Sequence, residues 1–221
     1  MEFNNTHKSP SYLLLETARN LFYKNGIIET SVNDIIRKSG VSRTTLYNKY
    51  GSKQALVLAT LKHDGETWRK WFFSAVNERL CNSNNGIENI LFVLEDWFLS
   101  DSYNGCFFMN SVSGHDDAVK IYKDLASEHK KYMLDFLNNI AKKSNIYDSK
   151  NFAERLLIII DGVIICRTMN KSKSLLDHSR IVLKFLIQGH NSKAYKFNQV
   201  SICWNLCFVK VFVCQDMIVS V

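Results

Sequence analysis

Apolar residues recur at helical spacing from Leu14 to Ile187, and glycines and short polar runs cut that pattern into segments. Ser9-Pro10 opens the first, a hydroxyl cap followed by the chain's one proline. Proline suits a first helical turn, where its missing N–H would have no partner anyway. Leu14, Ala18, Leu21 and Phe22 then share a face, and Gly26 closes the segment. The next phrase is short, with Ser31 as cap, Asp34 three residues on, and Val32, Ile35 and Ile36 apolar. Ser39-Gly40-Val41 breaks it, since Gly40 can turn the chain through positive φ without a Cβ clash. Ser42 caps a further short helix over Arg43 to Lys49.

Longer segments follow. Ser52 to about His63 reads as a linking helix, Gly65 as a break or bend, and Glu66 to Leu80 as a resumed helix bearing Trp68, Trp71, Phe72 and Val76. Asn82 to Gly86 is a polar loop, Ile87 to Leu99 a strongly apolar helix, and Ser100 to Asp117 irregular. Asp116 to Lys143 is a long amphipathic helix, with His129, Met133, Phe136 and Leu137 among its apolar side. Asn151 to Met169 and Ser174 to Gln188 are apolar on most sides and so must be covered on most sides. The pattern predicts an all-α protein with a small N-terminal helical head over residues 1–53, a larger helical domain over 54–190 and an atypical tail over 191–221. For that tail a strand pair, an addition to a dimer surface and poor order remain alternatives.

The window Thr30 to Lys53 carries the most specific chemistry. Val41 and Leu46 face inward from its second helix, while Arg43, Thr44, Thr45, Tyr47 and Asn48 face outward. Helix, glycine turn, then a short helix with donors outward is the helix-turn-helix pattern. A major groove admits one α-helix, and the first turns of that helix meet the base edges. Arg43 can grip guanine O6 and N7, and the threonines can bond to bases or phosphates and touch thymine methyls. Tyr47 and Asn48 suit the phosphate backbone, and Asn48 can also read adenine. Ser52 and Lys53 open the next helix, which would aim a helix N-terminus and an ammonium at one phosphate.

The run LLLETARNLFYKNGIIETSVNDIIRKSGVSRTTLYNKYGSKQAL resembles the N-terminal domain of TetR/AcrR-type transcription regulators. Ala18, Leu21, Phe22, Gly26, Thr30, Ile35, Gly40, Val41, Ser42, Leu46, Tyr47, Tyr50, Ser52, Lys53 and Leu56 carry the likeness, which is dense to about Leu61. Ile36 and Tyr50 depart from it, standing where alanine and phenylalanine are common. The resemblance implies a homodimer that joins through its last two helices and binds a pseudo-palindromic double-stranded operator. It also implies a larger domain that binds a small-molecule effector. The expected DNA-contacting set is Thr30, Ser31, Ser42, Arg43, Thr44, Thr45, Tyr47, Asn48, Lys49, Tyr50 and Lys53. GCFFMN at 105–110 is similar to a segment that lies between the cavity-lining helices of such regulators. The expected effector-binding set is Trp68, Trp97, Phe98, Tyr103, Phe107, Phe108, Met109, Met133, Phe136 and Cys166. Its aromatic, thioether and thiol character points to an apolar or aromatic effector. A repressor released by that effector is the leading reading, and an effector-independent activator or architectural DNA-binding protein is the alternative.

Charge agrees with a polyanionic partner at the head. The 221 residues carry a net charge of +7. Residues 1–53 hold eight Lys or Arg against four Asp or Glu, and the rest 20 against 17, so the surplus is densest in the small domain. Met1 to Ser11 lacks the apolar core of a signal peptide, and no run is long and uncharged enough to span a bilayer. Six cysteines with no CxxC pair read as reduced thiols, and a cytoplasmic protein without membrane association is expected. Common nucleotide, zinc-protease and serine-hydrolase signatures are missing, so no enzyme and no cofactor are expected. His115-Asp116-Asp117 reads as an acid-rich helix start rather than a metal site, and His63, Asp64 and Glu66 as solvated side chains near a hinge.

Overall fold

The computed structural model describes residues 9–82, 86–100, 103–108, 118–169 and 174–191. Within them lie α1 (Pro10–Asn25), α2 (Val32–Ser39), α3 (Arg43–Tyr50), α4 (Lys53–Asn82), α5 (Asn89–Leu99), α6 (Ala118–Lys143), α7 (Ser149–Met169) and α8 (Ser174–Asn191). A 3-10 turn at Gly86–Glu88 leads into α5, and the described residues include no strand. The readings placed on Met109, on His115 to Asp117 and on residues 192–221 lie outside the described residues.

Caps set the first three helices. The Ser9 hydroxyl accepts from the Tyr12 N–H at 3.2 Å with Pro10 at the first helical position. On α2 the capping box is complete: Ser31 Oγ accepts from the Asp34 N–H at 3.1 Å, and the Asp34 carboxylate takes the Ser31 N–H at 3.4 Å. Gly40 ends α2 in the left-handed region, φ 68° and ψ 8°, where a side chain would be strained. Ser42 Oγ caps α3 by accepting from the Thr45 N–H at 3.1 Å, and Gly51 closes it.

The head packs α1 across α2, α3 and the start of α4. Leu14, Ala18, Leu21 and Phe22 from α1 meet Ile35, Val41 and Leu46, and the set continues into Leu56, Val57 and Leu61 of α4. Phe107, Phe108 and Tyr122 belong to the same buried cluster. A domain edge at residue 53 therefore cuts a continuous core, because the first turns of α4 and the Phe107-Phe108 pair help to seal the head. Burying such side chains contributes about 1.5–3 kcal/mol each.

The predicted break at Gly65 does not occur. α4 runs unbroken for 30 residues, about 45 Å at the usual rise, from the head into the larger domain. Glycine inside a helix costs about 1 kcal/mol relative to alanine, and the reason it stands here is spatial. A Cβ on Gly65 would lie 2.7 Å from Cε2 and 2.8 Å from Cζ of Phe108. The glycine leaves the seat for that ring.

The larger domain assembles α5 to α8 around the second half of α4. Phe72, Ile90, Leu91, Leu94, Met133, Leu137, Phe152 and Leu156 are fully enclosed. Arg180 of α8 pairs with Glu95 of α5, and Lys130 of α6 pairs with Asp161 of α7.

Candidate nucleic-acid interface and interior cavity

The two short helices of the head hold an exposed polar face. Leu46 is fully buried and Val41 nearly so, and together they pin the inner side of α3. Ser42, Arg43, Thr44, Tyr47, Asn48 and Lys49 are exposed, and Thr45 is half-buried with its hydroxyl 2.8 Å from that of Ser42. Arg43 donates back to Asn33 of α2, a partner that sequence reading did not single out. That bond holds the guanidinium over the turn in the free protein. Asp34 accepts from Ser31 Oγ at 2.5 Å and from Arg37 at 2.6 Å. The Ser31 bond holds the Asp34 carboxyl below the usual carboxylate range.

Several members of the expected DNA-contacting set have other work. Thr30 is fully buried, and its hydroxyl donates to the Gly26 carbonyl at 2.7 Å, with the Leu21 carbonyl at 3.3 Å. It fastens the α1–α2 corner and cannot reach a nucleic acid, so it leaves the set. The Tyr50 hydroxyl donates to the Ser11 carbonyl at 3.0 Å and lies 2.9 Å from Ser11 Oγ, tying the end of α3 to α1. Lys53 Nζ donates to the Ile28 carbonyl at 3.1 Å, and partial burial lowers its pKa. Ser52 Oγ accepts from the Ala55 N–H at 3.1 Å and so caps α4.

Behind the head, α4, α6, α7 and the 105–108 segment enclose a cavity of about 30 Å³. Trp68, Trp97, Phe107, Phe108 and Met133 of the expected effector-binding set line it, together with Tyr23, Asp64, Gly65, Cys106, His129 and Ile164 among others. Phe98, Tyr103, Phe136 and Cys166 of that set do not. Phe98 and Tyr103 pack on Trp97 from outside, with Tyr103 edge-on at 4.9 Å. Phe136 stacks on Phe73 at 3.9 Å. Cys166 is exposed on the outer face of α7. Beside the cavity opens a larger cleft of about 550 Å³, with Glu16, Arg19, His63, Trp71 and Asp96 on its walls. Cavity and cleft share Tyr23, Asp64, Trp68, Trp97 and Gly105 as a common partition.

Asp64 is not solvated as the sequence suggested. It pairs with Arg19 and accepts from the Tyr23 hydroxyl at 2.9 Å, joining α1 to the middle of α4. Burial first, and then the Asp64 charge, raise the Tyr23 phenol well above its ordinary pKa. His129 is buried, with Nδ1 2.8 Å from Arg69 Nη1. Arginine can only donate, so Nδ1 accepts and the ring proton sits on Nε2. Burial, with Lys130 and Arg69 adding to it, pushes His129 down to about 3 and keeps it neutral. The mid-helix glycine and a histidine on the apolar side of α6 were the sequence signals for this region.

A capped helix, a left-handed glycine turn and a second helix with its polar face free define a helix-turn-helix DNA-binding protein. Residues 14–60 match the family model described as bacterial regulatory proteins, tetR family. A curated relative, an uncharacterized helix-turn-helix transcriptional regulator in the lacX 3′ region of Lactococcus lactis subsp. lactis, is 24% identical over 195 residues. That match covers 83% of this chain and 95% of the relative. A TetR-family regulator from Cytophaga hutchinsonii has a similar fold, with a TM-score of 0.69 at 19% identity, over 85% of this chain and all of that one. The multidrug binding protein EbrR, solved in complex with malachite green, gives a TM-score of 0.65 at 14% identity, over 81% of this chain and 99% of its own. Residues 14–60 thus form a DNA-binding domain of the tetR family type, and the chain as a whole resembles TetR-family regulators in fold. Among the described residues no helix is long and apolar enough to cross a membrane.

Proposed function

We propose that the chain is a homodimeric repressor that a small apolar or aromatic effector releases from a pseudo-palindromic operator. The observation that carries the DNA half is the free outer face of α3, where Ser42, Arg43, Thr44, Tyr47 and Asn48 stand exposed on a helix whose inner side is locked by Leu46. With Ser31, Thr45 and Lys49 they form the contacting set, while Tyr50 and Lys53 act mainly by fixing the head's geometry. A recognition helix entering the major groove needs this division of faces.

Dimerisation is supported by an apolar face left open on the last two helices. Ile158, Ile165, Cys166 and Met169 on α7 and Ile181, Val182 and Phe185 on α8 are exposed, Met169 at 83% and Phe185 at 68%. Gly162 lies on the same α7 face with open space beyond its Cβ position, which would let a partner helix approach closely. A second copy covering this face by twofold symmetry would place two heads to read grooves about 34–36 Å apart, or a multiple of that.

α4 is the element through which an effector can act, since one rigid helix carries both head core and cavity wall. A ligand shifts the balance only through tighter binding to the form that cannot hold DNA. EbrR, a multidrug binding protein of similar fold, is solved in complex with malachite green. In this reading the cavity of about 30 Å³ is the closed, ligand-free state.

The test is selection of bound duplexes from a random pool, together with sedimentation of wild type and Phe185→Glu. Wild type should be a dimer that selects an inverted repeat, and Phe185→Glu a folded monomer with weakened operator binding. A wild-type monomer, or selection of a single half-site, contradicts the reading.

A further inference from the structure

The Phe108 ring occupies a place built for a flat aromatic group. It lies over the Cβ-free surface of Gly65 and against the His129 ring, with centroids 4.5 Å apart. It is 4% exposed and belongs to the head's core cluster as well as to the cavity wall. Phe107, the next residue, stacks near Tyr23 at 4.8 Å and Phe22 at 6.3 Å. The same two rings thus close the cavity and brace α1.

The polar lining around that place is selective. Asp64 is matched by Arg19 and Tyr23, and Asp161 by Lys130. An entering ion of either sign would meet lining charges already paired and would lose its hydration with little compensation, since Arg69 behind that lining is engaged by His129 and the Tyr132 ring. Donors are in surplus instead. Trp68, whose ring lies 5.9 Å from His129, keeps its indole Nε1–H buried with no acceptor. His129 carries its proton on Nε2, because Arg69 occupies Nδ1. A buried donor with no partner is costly, and a ligand that supplies an acceptor recovers that cost.

We propose that this cavity binds a neutral planar aromatic molecule bearing a hydrogen-bond acceptor, which displaces the Phe108 ring from its seat on Gly65 and accepts from Trp68 Nε1–H. The proposal deepens the effector reading above and rests on it only for the consequence. Without displacement, about 30 Å³ holds little more than a water molecule. With it, the ring space opens into the adjoining cleft through the partition formed by Trp68, Trp97 and Tyr23. Removing Phe108 from the head's core, with Phe107 following, loosens α1 against α4. That is the route by which the ligand reaches α3.

Four two-ring probes of nearly one size separate the chemistry: quinoline (neutral acceptor), naphthalene (no acceptor), 2-naphthoate (anion) and N-methylquinolinium (cation). Binding to the full chain is followed by the indole ¹⁵N–¹H resonance of Trp68, assigned by its loss in Trp68→Phe. Quinoline should bind at about millimolar concentration or below and move that resonance downfield. Naphthalene should bind roughly three- to tenfold more weakly, Trp68→Phe should lose a similar factor for quinoline alone, and the two ions should not compete. Phe108→Ala, which empties the seat, should bind quinoline at least tenfold more tightly. Equal affinity for the four probes, an unmoved Trp68 resonance, or no quinoline binding overturns the proposal. Quinoline binding that leaves the operator complex intact refutes the effector reading while the ligand class stands. Operator release by either ion sinks the class and leaves effector control standing.

Discussion

Gly65→Ala tests the packing logic of the molecule with a single methyl group. In an exposed helix the change would stabilise by about 1 kcal/mol through backbone entropy. Here the new Cβ would meet Phe108 Cε2 at 2.7 Å and Cζ at 2.8 Å, and Arg69 Nη1 at 3.3 Å. Arg69 can swing aside, but the Phe108 ring is boxed in by His129 and the head's core, so it must move as a whole. Overpacking of that kind costs about 1–3 kcal/mol, so the net expectation is a loss of roughly 0–2 kcal/mol. Phe108→Leu removes both clashing atoms. In that background Gly65→Ala should stabilise by about 1 kcal/mol, so the sign reverses between backgrounds. Urea unfolding of the four proteins closes the cycle, and the coupling should be about 1–3 kcal/mol. A stabilising Gly65→Ala in the wild-type background, or the same effect in both, would refute the role given to the ring.

Other expectations follow from single contacts. Thr30→Val keeps the shape and removes a hydroxyl that holds the Gly26 carbonyl. It should cost about 1–3 kcal/mol in urea unfolding and leave base preference at the operator unchanged, and a changed preference would return Thr30 to the contact surface. For His129, the unfolded chain takes up a proton below about pH 6.5, while the folded protein does so only near 3. Its contribution is therefore intact above pH 6.5 and lost as pH falls through that window. Lowering the pH from 7.5 to 5.5 should cost roughly 1 kcal/mol through this group. His129→Gln should flatten that part of the pH dependence of thermal unfolding, and an unchanged slope would place the effect elsewhere.

The parts of this fold legible in the sequence are those fixed by local chemistry. Ser9, Ser31 and Ser42 announce their helices because a cap acts within three residues, and Gly40 announces the turn because its backbone demands it. The Gly65 reading failed because a glycine in a helix looks alike whether it breaks the helix or makes room for a ring 43 residues away. Thr30 misled for the same reason, since the carbonyls it serves are brought to it by the α1–α2 corner. Asp64 looked like a hinge carboxylate because Arg19 and Tyr23 reach it only after α1 folds onto α4. For the cavity, composition singled out the aromatic residues. Which of them face one space depends on helix rotation, so Trp68 and Phe108 line it while Phe136 and Cys166 do not.

Base-by-base binding of Arg43→Ala measures most directly whether α3 is the reading element. Wild type and variant are titrated against the selected operator and its single-base substitutions at fixed salt. The expected result is a loss of about 1–3 kcal/mol confined to one base pair per half-site, where the variant no longer discriminates. Equal weakening at every position, or no change at all, would contradict it.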